Sequence, residues 1–399
     1  FVPCFIRFPG GSSNMVSAKY NKGIMSRLVN TVQEKGYQYY DWNLDSGDAA
    51  GCGKEEIEQN ATTDKINHVM ILFHDTQTKD ATVEALPYIL KYYTDLGYEF
   101  RGIDRDSYGG KAETQYCELK IRSDFSSASV PFTLTLPKGS SPAPIFFYLA
   151  FTPEIADGIG EEVIDHGYAI ANVCYQDIAA DYFDGHMTGL GRFCTRNPYD
   201  SWGKLRIWAW CMSRIADVLL DDPGIDQKKT AVMGHSRLGK AALLAGAFDT
   251  RFGLTVSCQS GAGGAALLRG KTGEQIENLY GKGSRLWFAG NFFQYREDLE
   301  KLPFDSHFLL AMMAGRHLYV TSASRDDWAD PRSEFLGCLA ASPAFECMGS
   351  MGLEQKGRYL QPGEFSHKGD IGYFLREGTH YLSRDDWKHV FAYRKQHQI

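Results

Sequence analysis

The stretch TAVMGHSRLGKAALLAGAFDTRF, residues 230–252, constrains the fold more than any other. An apolar run, Ala231-Val232-Met233, ends at Gly234. Ser236 follows, and then an Ala/Leu-rich pattern of helical period begins. A strand that turns this sharply into a helix is the building unit of a parallel α/β sheet. The serine at the corner has two readings. It is a cap for the helix, or a nucleophile exposed at the carboxyl end of a strand, with the second glycine of the turn displaced to Gly239.

The same alternation extends on both sides. After a polar, glycine-containing stretch at 105–116 come apolar strands at CELKIRSD, FTLTLPKG, PIFFYLAF and YAIANVCY, then a long amphipathic helix over 201–222. Strands near 229–234, 254–258, 317–324 and 370–376 lead to a last helix from Ser383 onward. This predicts a doubly wound, mostly parallel α/β domain of α/β-hydrolase type over 115–399, with 109–114 as a linker. Residues 1–108 form a separate front piece. It has strands at YQYYDWNL and HVMILFHD, a helix over 82–97 and a short strand YEFRGI, too few units to close a (β/α) barrel.

Composition narrows the function classes. A net charge of -7 argues against nucleic acid or an anionic membrane surface as partner. No apolar run approaches the ~18 residues that span a bilayer. The nine cysteines include no C-x-x-C pair, so neither a zinc knuckle nor a redox motif is indicated. GGAALLRGKT at 263–272 approaches a phosphate-binding loop, but Ala265 stands where its first glycine is required.

A nucleophilic serine needs a base within reach and an acid that orients the base. HLYVTSAS runs into RDDWADP, which presents Asp326, Asp327 and Asp330 on a loop after a late strand. DIGYFLREGTH carries His380 directly before the last helix. The order Ser236, aspartate, His380 is the one α/β-hydrolases use. Asp327 and Asp330 remain alternatives to Asp326, with Asp330 reading as structural before Pro331. Among the other histidines, His235 is expected to point away, His307 lies in an apolar helical pattern, and His367 precedes its strand.

Seven segments in order, GHSRLGKAAL, SCQSGAGGAALLRG, GEQIENL, LWFAGNFFQY, LPFDSHFLLA, SASRDDWADP and GDIGYFLREGTHYLSRDDW, resemble the glucuronoyl esterase family of carbohydrate esterases, in its bacterial branch. The elbow of that family reads G-x-S-R-x-G-K, which accounts for the displaced glycine. The resemblance implies a serine esterase without metal or other cofactor. Its reaction would cleave the ester between (4-O-methyl-)glucuronic acid of glucuronoxylan and lignin alcohols. Ser236 matches the nucleophile, His380 the base and Arg237 the oxyanion support. Lys240, Glu274 and Trp328 match positions that hold the uronate. Many members carry the acid as a glutamate just before the glycine-rich stretch, where this chain has Gln259. An amide supplies no negative charge for an imidazolium, so the acid's role passes to Asp326 and Gln259 is left to the substrate. The alternatives are an acetylxylan or other carbohydrate esterase, or a catalytically dead carbohydrate-binding α/β-hydrolase. The implied partner is plant cell-wall polysaccharide, and the implied location secreted or periplasmic.

The front piece has its own likeness. FIRFPGGSSN, YYDWNLDSGDA and VMILFHDTQTKDATVEALPYIL resemble the carboxyl half of a NodB-type polysaccharide deacetylase. By that match Arg7, Asp41, Trp42, Leu72 and His74 fall on active-site motifs. His74 stands as general acid, Asp41 orients a charged neighbour, and Trp42 and Leu72 line an acetyl pocket. The earlier motifs of that family, with its metal ligands, are absent here. The fragment is therefore expected to be inactive as it stands, through amino-terminal truncation or as a relic scaffold.

Overall fold

Apolar residues that run without alternation can be buried only by covering both faces of a strand, and this is where the central strands lie. The computed structural model describes the chain apart from residues 1–4, 7–15, 17–18, 35–37, 40–41, 66–68, 70, 75–78, 97–102, 124–125, 140, 156–157, 183–187, 195–196, 198, 281–285 and 355–356. The chain divides into two units, Phe1–Arg101 and Gly102–Ile399.

In the first unit β1 (Phe5–Ile6) pairs in parallel with β2 (Gln38–Tyr39), and β3 (Leu44–Asp45) with β4 (Ile71–Leu72). The helix expected over 82–97 runs Asp80–Asp95. Its Ala85, Ile89 and Tyr93 pack with Ile57 and Ala61 in a small core.

The second unit is built on one sheet of ten strands. These are β5 (Ile103–Asp106), β6 (Ala112–Arg122), β7 (Ser127–Pro137), β8 (Ala143–Ala150), β9 (Ala169–Cys174), β10 (Ile225–His235), β11 (Leu254–Cys258), β12 (His317–Ala323), β13 (Phe365–Ser366) and β14 (Ile371–Arg376). Their order is β13-β14-β12-β11-β10-β8-β9-β7-β6-β5. The six from β14 to β9 are mutually parallel, while β13 and the β7-β6-β5 wing are antiparallel. Most of the strand expected at 98–103 lies outside the described residues; β5 begins at its last position and pairs with β6.

Alternate residues of the central strands feed cores on opposite faces. Ile145, Phe147 and Leu149 of β8 pack with Trp208 and Met212 of the helix Lys204–Leu219 and with the helix Arg237–Phe248. Phe146, on the other face, packs with Trp387 and Phe391 of the last helix, Arg384–His397. Ser383 and Asp386 start that last helix with a reciprocal capping box. No helix among the described residues is long and apolar enough to cross a membrane.

The turn after β10 depends on two close approaches. A Cβ on Gly234 would sit 2.2 Å from the carbonyl oxygen of Leu238, and one on Gly239 would sit 3.1 Å from that of Cys258 at the end of β11. Both contacts are with backbone, which cannot swing aside. The displaced glycine thus lets the helix lie against β11, while Leu238, fully buried, anchors it to the core. Gly234→Ala is expected to destabilise the second unit by about 1–3 kcal/mol, measured by urea unfolding, since a methyl group must displace main chain.

Candidate active site

Ser236 sits at the corner between β10 and its helix with φ 58° and ψ -128°, a backbone conformation that side-chain-bearing residues rarely adopt. Its N–H donates to the Cys258 carbonyl at 2.8 Å, which ties the strained turn to the end of β11. The side chain makes no capping hydrogen bond with the helix. Its Oγ instead lies 2.9 Å from His380 Nε2. His380 Nδ1 is 2.6 Å from Asp326 Oδ2. The Asp326 carboxylate is buried, and its other oxygen accepts the Ala329 N–H at 3.2 Å. The three residues named from sequence therefore stand in line. Asp330 instead accepts from the Ser333 N–H as a helix cap and from the Thr272 N–H.

Each partner reaches this line because a buried polar group shapes its loop. Arg376, the last residue of β14, donates to the carbonyls of Glu377, Thr379 and Tyr381 at 2.7–2.9 Å, folding the loop that carries His380. Its Nε pairs with Asp386 at 3.0 Å, and both side chains are buried. Gln259 belongs to this network: its Nε2 donates to Thr321 Oγ1 at 2.8 Å and to Asp386 Oδ1 at 3.2 Å. The amide, 1 % exposed, thus supports the loop instead of facing a ligand. A carboxylate there would confront Asp386.

Glu334, in the helix Pro331–Cys347, works in the same way. It accepts from Ser260 Oγ, from the Gly261 N–H and from Ser322 Oγ, joining the end of β12 to the glycine-rich loop. Burial pushes its carboxyl up to about 7, against the pull of those hydrogen bonds.

His235 does not point away. Its ring centroid lies 4.8 Å from that of His380, and its Nε2 is buried without a partner. Burial, reinforced by the neighbouring imidazole of His380, depresses it to about 3. It is a neutral neighbour of His380, and it takes up no second ring proton near neutral pH.

The remaining residues form a wall beside Ser236. The Arg237 guanidinium donates to Asp181 at 2.5 Å and lies over the Trp287 ring, 4.6 Å from its centroid. Asp181 also accepts from Trp287 Nε1 at 2.7 Å and lies 3.6 Å from Lys204 Nζ. Lys240 and Glu274 form a nearly buried pair at 2.9 Å. The Glu274 N–H donates to the Trp328 carbonyl, which sets that pair against the aspartate loop. Trp328 is 54 % exposed, an apolar surface open to a ligand.

Asp181, Glu334, Arg376 and Asp386 are absent from the sequence-based set. Arg376 had a visible signal, as a lone charge ending the apolar strand IGYFLR.

In the first unit, Arg7 and Asp41 lie outside the described residues. Leu72 is buried and Trp42 half-buried. His74 Nδ1 lies 2.8 Å from Asp48, a residue the motifs did not single out. Burial alone would raise Asp48, but hydrogen bonds from His74, Ser46 and Thr82 prevail and hold it at about 2.

A parallel sheet with a strained strand-to-helix turn at its centre, and a histidine after its last parallel strand, defines an α/β-hydrolase. Residues 119–349, more than half the chain, match the family described as glucuronyl esterase, fungi, and the chain belongs to the glucuronoyl esterase family. It is 38% identical over 242 residues to carbohydrate esterase MZ0003 of an unknown prokaryotic organism, covering 59% of this chain and 55% of that one. It is 33% identical over 268 residues to a 4-O-methyl-glucuronoyl methylesterase of Hypocrea jecorina, covering 62% and 54%. The chain spans about half the length of these curated relatives. Among solved structures it resembles a glucuronoyl esterase from Teredinibacter turnerae, with a TM-score of 0.68 and 30% identity over 80% of this chain and 85% of that one. A glucuronoyl esterase from Solibacter usitatus gives 0.67 and 31% over 73% and 83%.

Glu334 makes stability depend on pH. Its folded value of about 7 exceeds its ordinary 4.5, so the stability it contributes is full below 4.5 and is lost as pH rises through 7. Glu334→Gln, which cannot ionise, should gain in Tm relative to the unsubstituted chain between pH 5 and pH 8. Parallel Tm profiles would refute a buried, uncharged carboxyl.

Proposed function

We propose that the second unit is a serine esterase acting on esters of (4-O-methyl-)glucuronic acid, in glucuronoxylan joined to lignin alcohols, through an acyl-enzyme on Ser236. The observation that carries this reading is the unbroken hydrogen-bonded line from Ser236 through His380 to Asp326. His380 Nε2 takes the proton as Ser236 Oγ attacks the ester carbonyl, and gives it to the leaving alcohol. Water then enters by the same base and releases the acid. Asp326 holds the Nδ1 proton toward itself and stabilises the imidazolium. The Arg237 N–H, the first of its helix and without an acceptor inside it, stands ready for the developing oxyanion. The Lys240–Glu274 pair and the exposed face of Trp328 offer polar and apolar contacts suited to a uronate ring.

The names of the curated relatives, carbohydrate esterase and 4-O-methyl-glucuronoyl methylesterase, support the substrate class. A catalytically dead reading rested on Gln259; the contact of His380 with the Asp326 carboxylate supports the catalytic reading over it. A polymer of the plant cell wall as target implies a secreted or periplasmic protein. For the first unit the proposal is a deacetylase-derived piece, and it rests on motif likeness alone.

Hydrolysis of benzyl glucuronate should exceed that of p-nitrophenyl acetate in kcat/KM; a clear preference for acetate would overturn the uronate assignment. Asp326→Asn should lower kcat by about 10³–10⁴-fold with KM little changed, as expected when a base loses its orienting charge. Full activity in that variant would remove Asp326 from the relay.

A further inference from the structure

At the amino ends of the parallel strands, opposite Ser236, stands a second cluster of chemistry-bearing side chains. His317 opens β12, Asp370 immediately precedes β14, and His397 lies in the last turn of the final helix. One ring nitrogen of each histidine and one carboxylate oxygen of Asp370 all lie within 4.8 Å of one another. We propose that His317, Asp370 and His397 bind a divalent transition-metal ion of the Zn²⁺ class, which pins the end of the last helix to the amino edge of the sheet.

Three features of the cluster favour an ion. The first is an orphaned charge. Asp370 is only 26 % exposed and has no lysine or arginine ion pair among the described residues; the group facing it is His317, at 3.5 Å. A half-buried carboxylate in that position gains from a cation more than from a neutral ring.

The second is the orientation of His397. Its Nε2 lies 2.6 Å from the His367 carbonyl oxygen, which can only accept, so the ring proton sits on Nε2 and Nδ1 keeps its lone pair. Metal-ligating histidines are fixed by a hydrogen bond of this kind on their other nitrogen.

The third is a rigid frame. The His317 N–H donates to Gly253, the Leu318 N–H to Asp370 and the Asp370 N–H to Met351, each at 2.8–2.9 Å. Two of the three ligands are thereby held by sheet pairing.

Two imidazoles and one carboxylate suit Zn²⁺ and its neighbours better than Ca²⁺ or Mg²⁺, which take oxygen ligands. Tetrahedral bonds of 2.0–2.1 Å place ligand atoms roughly 3.4 Å apart. The His317 Nδ1–Asp370 Oδ1 separation, 3.5 Å, is already close to that value, and water takes the fourth position. The site lies at the other end of the sheet from the ester chemistry, so its readout is stability and occupancy instead of turnover.

The full chain, stripped with EDTA and titrated with ZnCl₂ in a calorimeter, should bind one equivalent saturably. Zn²⁺ at about a hundred times its Kd should raise Tm by roughly 5 °C. Asp370→Asn and His397→Gln should each weaken binding by at least about 10-fold and abolish the Tm shift, while His389→Gln, on the same helix, keeps both. If either ligand variant fails to fold, diethyl pyrocarbonate footprinting of the unsubstituted chain decides instead: Zn²⁺ should protect His317 and His397. No saturable binding, an unchanged Tm shift in both ligand variants, or no protection of those two histidines overturns the proposal.

Discussion

The pair between Arg376 and Asp386 is the interaction on which the active-site geometry most depends. Both side chains are withdrawn from water, so the pair exists at the cost of desolvating two charges. It is compensated by hydrogen bonds on every side. Arg376 serves three carbonyls of the loop that carries His380, and Asp386 accepts from Gln259, from the Ser383 N–H and from Ser383 Oγ. Removing one charge alone would strand the other, typically at a cost of about 3–5 kcal/mol. The position of the His380 imidazole is thus set by buried groups on neighbouring segments.

Around this pair the site is assembled from backbone ends that converge for a topological reason. Parallel strands place all their carboxyl ends on one edge, and Ser236, Asp326 and His380 follow β10, β12 and β14 respectively. The loops are then locked to one another. Glu334 joins β12 to the glycine-rich loop, and Asp330 joins the aspartate loop to Thr272. Asp181 gathers Arg237, Trp287 and Lys204. Buried carboxyls recur in this scheme because each offers several acceptor sites and can satisfy donors from different segments.

Much of this was legible in the sequence, and the limits have physical causes. Continuous apolar runs locate the central strands well: those expected near 254–258 and 317–324 are Leu254–Cys258 and His317–Ala323. The amphipathic helix over 201–222 forms Lys204–Leu219, and the last helix begins after Ser383. Ser236, Asp326 and His380 could be named because each follows a strand in a fixed chain order. Gln259 shows where such reasoning stops. Its place in a motif is visible in the letters, but the direction of its side chain depends on Asp386, 127 residues away. The same holds for His235, whose neighbour His380 comes from another strand end. In the first unit the paired strands are two residues long, too short for a period of two to register.

The central claim is that Ser236 is activated by a relay running through His380 to Asp326. Labelling with a fluorophosphonate ester, read by peptide mass spectrometry as a rate and a position, addresses it directly. A single adduct on Ser236, formed rapidly by the unsubstituted chain and at least a hundredfold more slowly after His380→Ala, is the predicted result. An adduct on another residue, or labelling of Ser236 at the same rate without His380, would contradict it.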